Sequence, residues 1–188
     1  MAISIPVKAY ITALNGSSAG WTESVVRTTF RIANAIWQKS GIFFDLKSIE
    51  AIDETPPPSG IEGKLDDDKL FYLGSKYPGR DCPSAFFVKT FAGKEGGTAT
   101  QMNAPPWLLA VGYSTNQTNL GRMLAHEFGH LLNLGHSDEG FVQGPDNPIP
   151  ARMRDNLMFS ALTVGTTITD SQIREAFVSE LAKRFGSQ

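Results

Sequence analysis

A chain of 188 residues, 41% hydrophobic and 19% charged, has the composition of a globular protein with room for one well-buried core. Its 17 basic and 19 acidic side chains leave a net charge of −2 and form no basic run, so neither nucleic acid nor an anionic membrane finds a surface to hold. The longest apolar runs, such as Trp107–Val111, fall far short of the ~20 residues of a membrane span, and a lone cysteine, Cys82, excludes an internal disulfide or a zinc site built from several cysteines.

The opening "MAISIPVKAY" has no basic stretch followed by an apolar one, so no signal peptide is expected. The compartment stays open between a leaderless protein and a mature domain cut from its leader. No repeat divides the chain, and one domain over 1–188 is expected. Residues 3–11 alternate toward their end and suit a first strand, closed by the turn-forming "NGSSAG". Over 22–39, Val26, Phe30, Ala33 and Trp37 recur at helical spacing and predict a helix with one buried stripe. "GIFFDLKSIEAI" reads as a second strand and "DETPPPSGIEG" as a proline-rich surface loop. "DDDKLFYLGSKY" suits a short helix with acids at its positive end. Asp66–Asp68 read as solvated loop, and no structural calcium is indicated. "SAFFVKTFA" and "WLLAVGYS" look like two more strands, with "GGTATQMN" an irregular fifth between them. A helix follows from about Asn119. The chain closes with "TDSQIREAFVSELAKRF", a helix with a capping-box pattern at Thr169 and Gln172 and an apolar stripe of Ile173, Phe177 and Leu181. Strands ahead of one helix, with a further helix at the end, describe an α/β or α+β domain.

All three histidines of the chain lie within "LAHEFGHLLNLGHSDEG", residues 124–140. His126 and His130, four apart, share one helix face, so their imidazoles can converge on one ion. Glu127 lies one step round the helix, near that face yet off it, where a carboxylate reaches a water without ligating the metal. Leu124, Phe128 and Leu131 point the other way, toward a sheet. His136 can join only if the chain turns sharply after Leu132. Asn133 sits where that turn must begin, and asparagine ranks next to glycine in adopting the left-handed conformation that ends a helix. Three neutral histidines satisfied by local hydrogen bonds would leave this clustering without a reason.

"HEFGHLLNLGH" resembles the extended zinc signature of the metzincin metallopeptidases, H-E-x-x-H-x-x-G-x-x-H, with Asn133 in place of the glycine. "NLMFS", at 156–160, resembles the methionine turn that follows in that family, with Met158 as its methionine, and Ser137 after the third histidine is matrixin-like. Astacins and serralysins carry a tyrosine where this chain has Ser160, which disfavours those branches. The resemblance implies an α+β, metzincin-like catalytic domain. Its twisted, mostly parallel five-stranded sheet would carry an antiparallel edge strand beside an active-site helix. Residues 1–133 would form the N-terminal subdomain, and 134–188 a small C-terminal subdomain ending in a helix.

The family also implies one catalytic Zn2+ on His126, His130 and His136, and a protein or peptide substrate. Glu127 would take a proton from the water attacking the scissile carbonyl and pass it to the leaving amine, while zinc on neutral histidines polarises the carbonyl and lowers the pKa of that water toward about 7. Gly97, Thr98, Ala99 and Thr100 would pair with an extended substrate. Ala161, Leu162 and Thr163 would wall a pocket for an apolar side chain. A monomer is expected, and a secreted mature domain fits the family. Cys82, in "GRDCPS", faintly resembles the cysteine segment of matrixin zymogens, but it lies inside the domain and reads as an ordinary thiol. The rival is a catalytically silent zinc-binding or regulatory protein on the same scaffold, against which Glu127 stands. A gluzincin would need a distant glutamate motif, and none follows.

Overall fold

The computed structural model describes residues 2–13, 20–53, 67–89, 96–99, 105–141, 143, 148–160 and 165–186. Five strands form one sheet: β1 (Ile3–Thr12), β2 (Ile42–Ile52), β3 (Ser84–Val88), β4 (Gly97–Ala99) and β5 (Leu108–Gly112), in the order β2-β1-β3-β5-β4. Pairing is parallel except at β4, which runs antiparallel to β5. Every residue of β3 and β5 is buried, as a parallel sheet covered on both faces requires. The fold is α+β, with the antiparallel edge strand the sequence implies. No helix among the described residues is long and apolar enough to cross a membrane.

One face is covered by α1 (Glu23–Trp37) and α3 (Gln117–Leu131). The Thr22 hydroxyl caps α1 by accepting from the Val25 N–H at 3.2 Å, and the helix buries Val26, Phe30, Ala33 and Trp37, the stripe read from the spacing. Phe44 of β2 stacks on Phe128 of α3 with ring centroids 3.6 Å apart, and Trp37 Nε1 donates to the Ala125 carbonyl at 3.0 Å, so α1, α3 and the sheet share one core. The opposite face carries α2 (Asp67–Lys76), whose Leu70 and Leu73 pack with Tyr10, Phe86 and Leu108 in a second cluster. On the outer edge of β2, the Asn34 side chain donates to the Phe44 carbonyl at 2.9 Å and accepts from the Phe44 N–H at 2.8 Å.

The closing helix differs from expectation. It is two helices, α5 (Asp170–Val178) and α6 (Glu180–Gly186), after a short α4 (Ala151–Arg154). At Ser179 the backbone is extended, with ψ 150°, and the Ser179 hydroxyl bonds the Ala176 carbonyl while accepting from the Ala182 N–H. That side chain stops one helix and caps the next. The predicted capping box at Thr169 and Gln172 is present. Of the predicted stripe only Leu181 is fully buried, with Ala176 and Ala182 beside it, while Ile173 and Phe177 are half-buried.

Candidate metal centre

The helix that carries the histidines starts two residues earlier than expected. The Asn116 side chain accepts from the Thr118 and Asn119 N–H groups at 3.0 and 3.2 Å, capping α3. Leu124, Phe128 and Leu131 sink into the core, as the sequence predicts, and His126 and His130 occupy another face. At its end, the Asn133 N–H donates to the His130 carbonyl and the Leu134 N–H to the Gly129 carbonyl, both at 2.9 Å. That bond pair is a Schellman ending. Asn133 holds φ at 66°, the sole positive φ outside glycine among the described residues. The chain reverses there, and His136 comes back toward the helix.

The result is a cluster of three imidazoles. His126 Nε2 and His130 Nε2 stand 3.0 Å apart, and His130 Nε2 and His136 Nε2 3.2 Å. His126 Nδ1 lies 2.7 Å from the Leu157 carbonyl and His130 Nδ1 2.8 Å from the Leu134 carbonyl. A carbonyl only accepts, so each Nδ1 carries its proton and each Nε2 presents a lone pair. Burial holds the His126 ring below its ordinary pKa and pushes His130 down to about 4, with the charge of His126 adding to the second shift. Two neutral rings therefore aim lone pairs at each other, which repel unless a cation lies between them. Ligand nitrogens at about 2.0–2.1 Å from a tetrahedral zinc stand about 3.3 Å apart, near the observed spacing. Among the described residues these three histidines form the only such group of His, Cys, Asp and Glu able to hold a metal ion.

Glu127 is buried, and burial alone pushes its carboxyl up to about 8. Among the described residues its Oε2 has no hydrogen-bond partner. The carboxylate lies under Gly97: a Cβ built there would fall 2.5 Å from Glu127 Oε1. The structure thus brings β4, read from sequence as a substrate strand, directly over Glu127. The Gly112 N–H donates to the Gly96 carbonyl at 2.8 Å, and Thr98 is the partner of Ala110. By the alternation of an antiparallel ladder, Thr98 bonds inward to β5, whereas the N–H and C=O of Gly97 and Ala99 point away from β5, toward the edge of the described sheet.

Met158 is fully buried beneath the helix, in a turn closed by the Phe159 N–H on the Asn156 carbonyl at 3.2 Å. A Cβ on Gly129 would fall 2.3 Å from Met158 Sδ, so the sulfur docks where the helix has no side chain. The same turn supplies the Leu157 carbonyl to His126 and the Met158 carbonyl to the Ser137 N–H, at 2.7 Å. Asp138 accepts both the N–H and the hydroxyl of Ser160, tying the segment after His136 to the end of that turn. Burial works to raise the Asp138 carboxyl, but the Ser160 bonds outweigh it and hold the group below its ordinary value. Sequence reasoning missed the carbonyls of Leu134 and Leu157, because main-chain acceptors leave no residue signature. It also gave no role to Asn156 or Asp138, although Asn156 opens the "NLMFS" stretch and Asp138 directly follows Ser137.

Cys82 lies half-buried ahead of β3 and is not part of the histidine group. Asp67 opens α2, while Asp66, Thr100, Ala161, Leu162 and Thr163 lie outside the described residues.

No family model matches the chain, and no curated protein matches it. Solved structures do resemble it. Mature mirolysin from Tannerella forsythia, in complex with a cleaved peptide, superposes with a TM-score of 0.70 at 13% identity, covering 98% of this chain and 96% of that one. Mirolysin in complex with compound 9 gives a TM-score of 0.67 at 13% identity, with coverage of 98% and 96%. Metalloproteinase-II from Bacteroides fragilis gives 0.59 at 15% identity, over 95% of this chain and 52% of that one, so the chain spans about half the length of that protein. At such identities the likeness is one of fold: the chain has the fold of metalloproteinases.

Proposed function

We propose that the chain is a zinc-dependent endopeptidase of the metzincin type, with a matrixin-like methionine turn at Met158. The convergence of the His126, His130 and His136 ring nitrogens, two of them with Nδ1 committed to a carbonyl, carries the reading. These three side chains would hold one zinc ion. Asn133 ends the helix so that the third can join. Residues 1–188 form a single catalytic domain in this reading, with the sheet and active helix in 1–133 and the methionine turn and last helices in 134–188. When bound, zinc supplies Lewis acidity toward a carbonyl and lowers the pKa of a water.

The remaining chemistry belongs to the chain. An extended peptide adds along β4 on the side away from β5, through the outward N–H and C=O of Gly97 and Ala99, which sets its scissile bond over Glu127. Glu127 takes a proton at its carboxylate as the water oxygen bonds to the carbonyl carbon, and gives it to the amide nitrogen as the C–N bond breaks. Products are a carboxylic acid and an amine, so no serine or cysteine nucleophile is needed. The peptide held by mirolysin, a protein of similar fold, supports this class of substrate.

A mixed peptide library with and without chelator, beside Glu127→Ala, tests the reading. The wild type should cleave and lose activity to chelator, and Glu127→Ala should keep one zinc while losing about 10²–10⁴-fold in rate. A wild-type protein that binds zinc and cleaves nothing would make the chain a zinc-binding module instead.

A further inference from the structure

His126 owes its ring orientation to the Leu157 carbonyl, and side chains hold that carbonyl in place. Asn156 is buried, and its Oδ1 accepts the Met158 N–H at 2.8 Å, closing the turn that aims the Leu157 carbonyl at His126. Behind it stands Gln172. Asn156 Nδ2 donates to Gln172 Oε1 at 3.0 Å, and Gln172 Nε2 donates back to Asn156 Oδ1 at 3.0 Å. Backbone donors fix which end of each amide is oxygen: the Met158 N–H for Asn156, and the Thr169 N–H, 3.0 Å from Gln172 Oε1, for Gln172. The reciprocal pairing therefore has only one sense. The same Gln172 closes the capping box of α5, so the start of the last helices is linked by hydrogen bonds to one of the clustered imidazoles.

We propose that Asn156 and Gln172 are positioning residues for His126, holding the Leu157 carbonyl so that the ring keeps its proton on Nδ1 and turns its Nε2 lone pair toward the metal. This rests on the metal-site reading above. Neither side chain touches the cluster; each acts through the turn. Partners that orient a ligating histidine through its other nitrogen tune metal affinity, and here that partner is a carbonyl set in place by an amide pair. His130 serves as an internal reference. Its Nδ1 is held by the Leu134 carbonyl within the helix-ending turn, whose bonds involve neither Asn156 nor Gln172.

Gln172→Glu separates the two duties of the side chain. Glutamate at that position still completes a capping box and can accept from Asn156 Nδ2, but it cannot donate to Asn156 Oδ1. Thr169→Ala does the reverse, removing the cap hydroxyl and leaving the amide pair. The probe is cobalt(II) loaded into the full chain, read by cobalt affinity and by hydrogen exchange of the His126 and His130 Nδ1–H protons in NMR spectra. Gln172→Glu should weaken cobalt binding by about tenfold and speed exchange at His126 while sparing His130, with the melting temperature of the metal-free protein unchanged. Thr169→Ala should lower that melting temperature and leave both exchange rates and cobalt affinity as in the wild type. Should Gln172→Glu not fold, Gln172→Met, which keeps the volume and loses the amide bonds, carries the same comparison. Equal changes at His126 and His130, or none at either, would overturn the inference. A wild-type chain that binds no cobalt would overturn the metal-site reading, and this inference with it.

Discussion

Gly97→Ala drives a methyl group into the carboxylate of Glu127. The new Cβ would meet Glu127 Oε1 at 2.5 Å, Cγ at 2.7 Å and Cδ at 2.8 Å. Since ordinary contact begins near 3.4 Å, the carboxylate must retreat by about 0.9 Å or the strand must lift. A displacement near 1 Å costs a positioned catalytic group about 10²-fold in rate, which is ~2.7 kcal/mol on the barrier. Overpacking at a buried contact costs about 1–3 kcal/mol of stability as well. The three Nε2 atoms cluster without help from residue 97, and the carbonyls of Leu157 and Leu134 orient the His126 and His130 rings, so zinc should stay bound. The assay is steady-state cleavage of one peptide together with zinc content of the purified variant. The expected outcome is a fall of about 10²-fold in kcat with one zinc retained. Wild-type kcat in a folded, zinc-loaded variant would refute the placement of Glu127 beneath β4, and loss of zinc in step with activity would refute the separation of base from ligands.

Asn133→Gly should leave zinc affinity and activity within a few-fold, whereas Asn133→Val should damage both, because a β-branched residue resists the observed φ of 66° by roughly 1–2 kcal/mol; equal behaviour in an equilibrium zinc titration would count against the left-handed turn. The metal-free protein should be folded by circular dichroism and most stable to denaturant near pH 6.5, the ordinary histidine value of about 6.5 setting the turning point. Below it the unfolded chain protonates histidines that His126 and His130, with depressed folded pKa values, keep neutral, so stability is lost as pH falls. Above it the unfolded chain has released the proton that folded Glu127 retains up to about 8, so stability is lost as pH rises. Denaturation midpoints that climb steadily from pH 5 to 8 would contradict that account.

Local signals were the legible ones. The α1 stripe, the Thr169–Gln172 capping box and the histidine spacing each lie within a few turns of helix, where residue type and period decide the outcome. Asn133 was legible for the same reason, since its left-handed backbone is a property of the residue itself. The break at Ser179 was not, because the apolar period runs on through it and only the serine's bonds to Ala176 and Ala182 interrupt the helix. The contact of Gly97 with Glu127 joins two stretches that meet only once β4 has paired with β5. Likewise the Leu157 carbonyl reaches His126 across 31 residues of chain. Such acceptors belong to the backbone and are written in no side chain.

The Asn34 amide on Phe44 bears on how the sheet receives visitors. With one donor and one acceptor aimed at the backbone of β2, a single side chain imitates the hydrogen-bonding face of a neighbouring strand. Further along, the Asp45–Lys47 ion pair and exposed Glu50 put charge on the same strand, a known deterrent to edge pairing. The two margins of the sheet are therefore unequal among the described residues: one is occupied by the protein's own amide, and the other, at β4 above Glu127, has no described strand beyond it. Under the proposed function this asymmetry is useful, since a strand landing on the far margin would be held with nothing to cut it. Asn34 acts, in effect, as a doorstop at the margin away from Glu127.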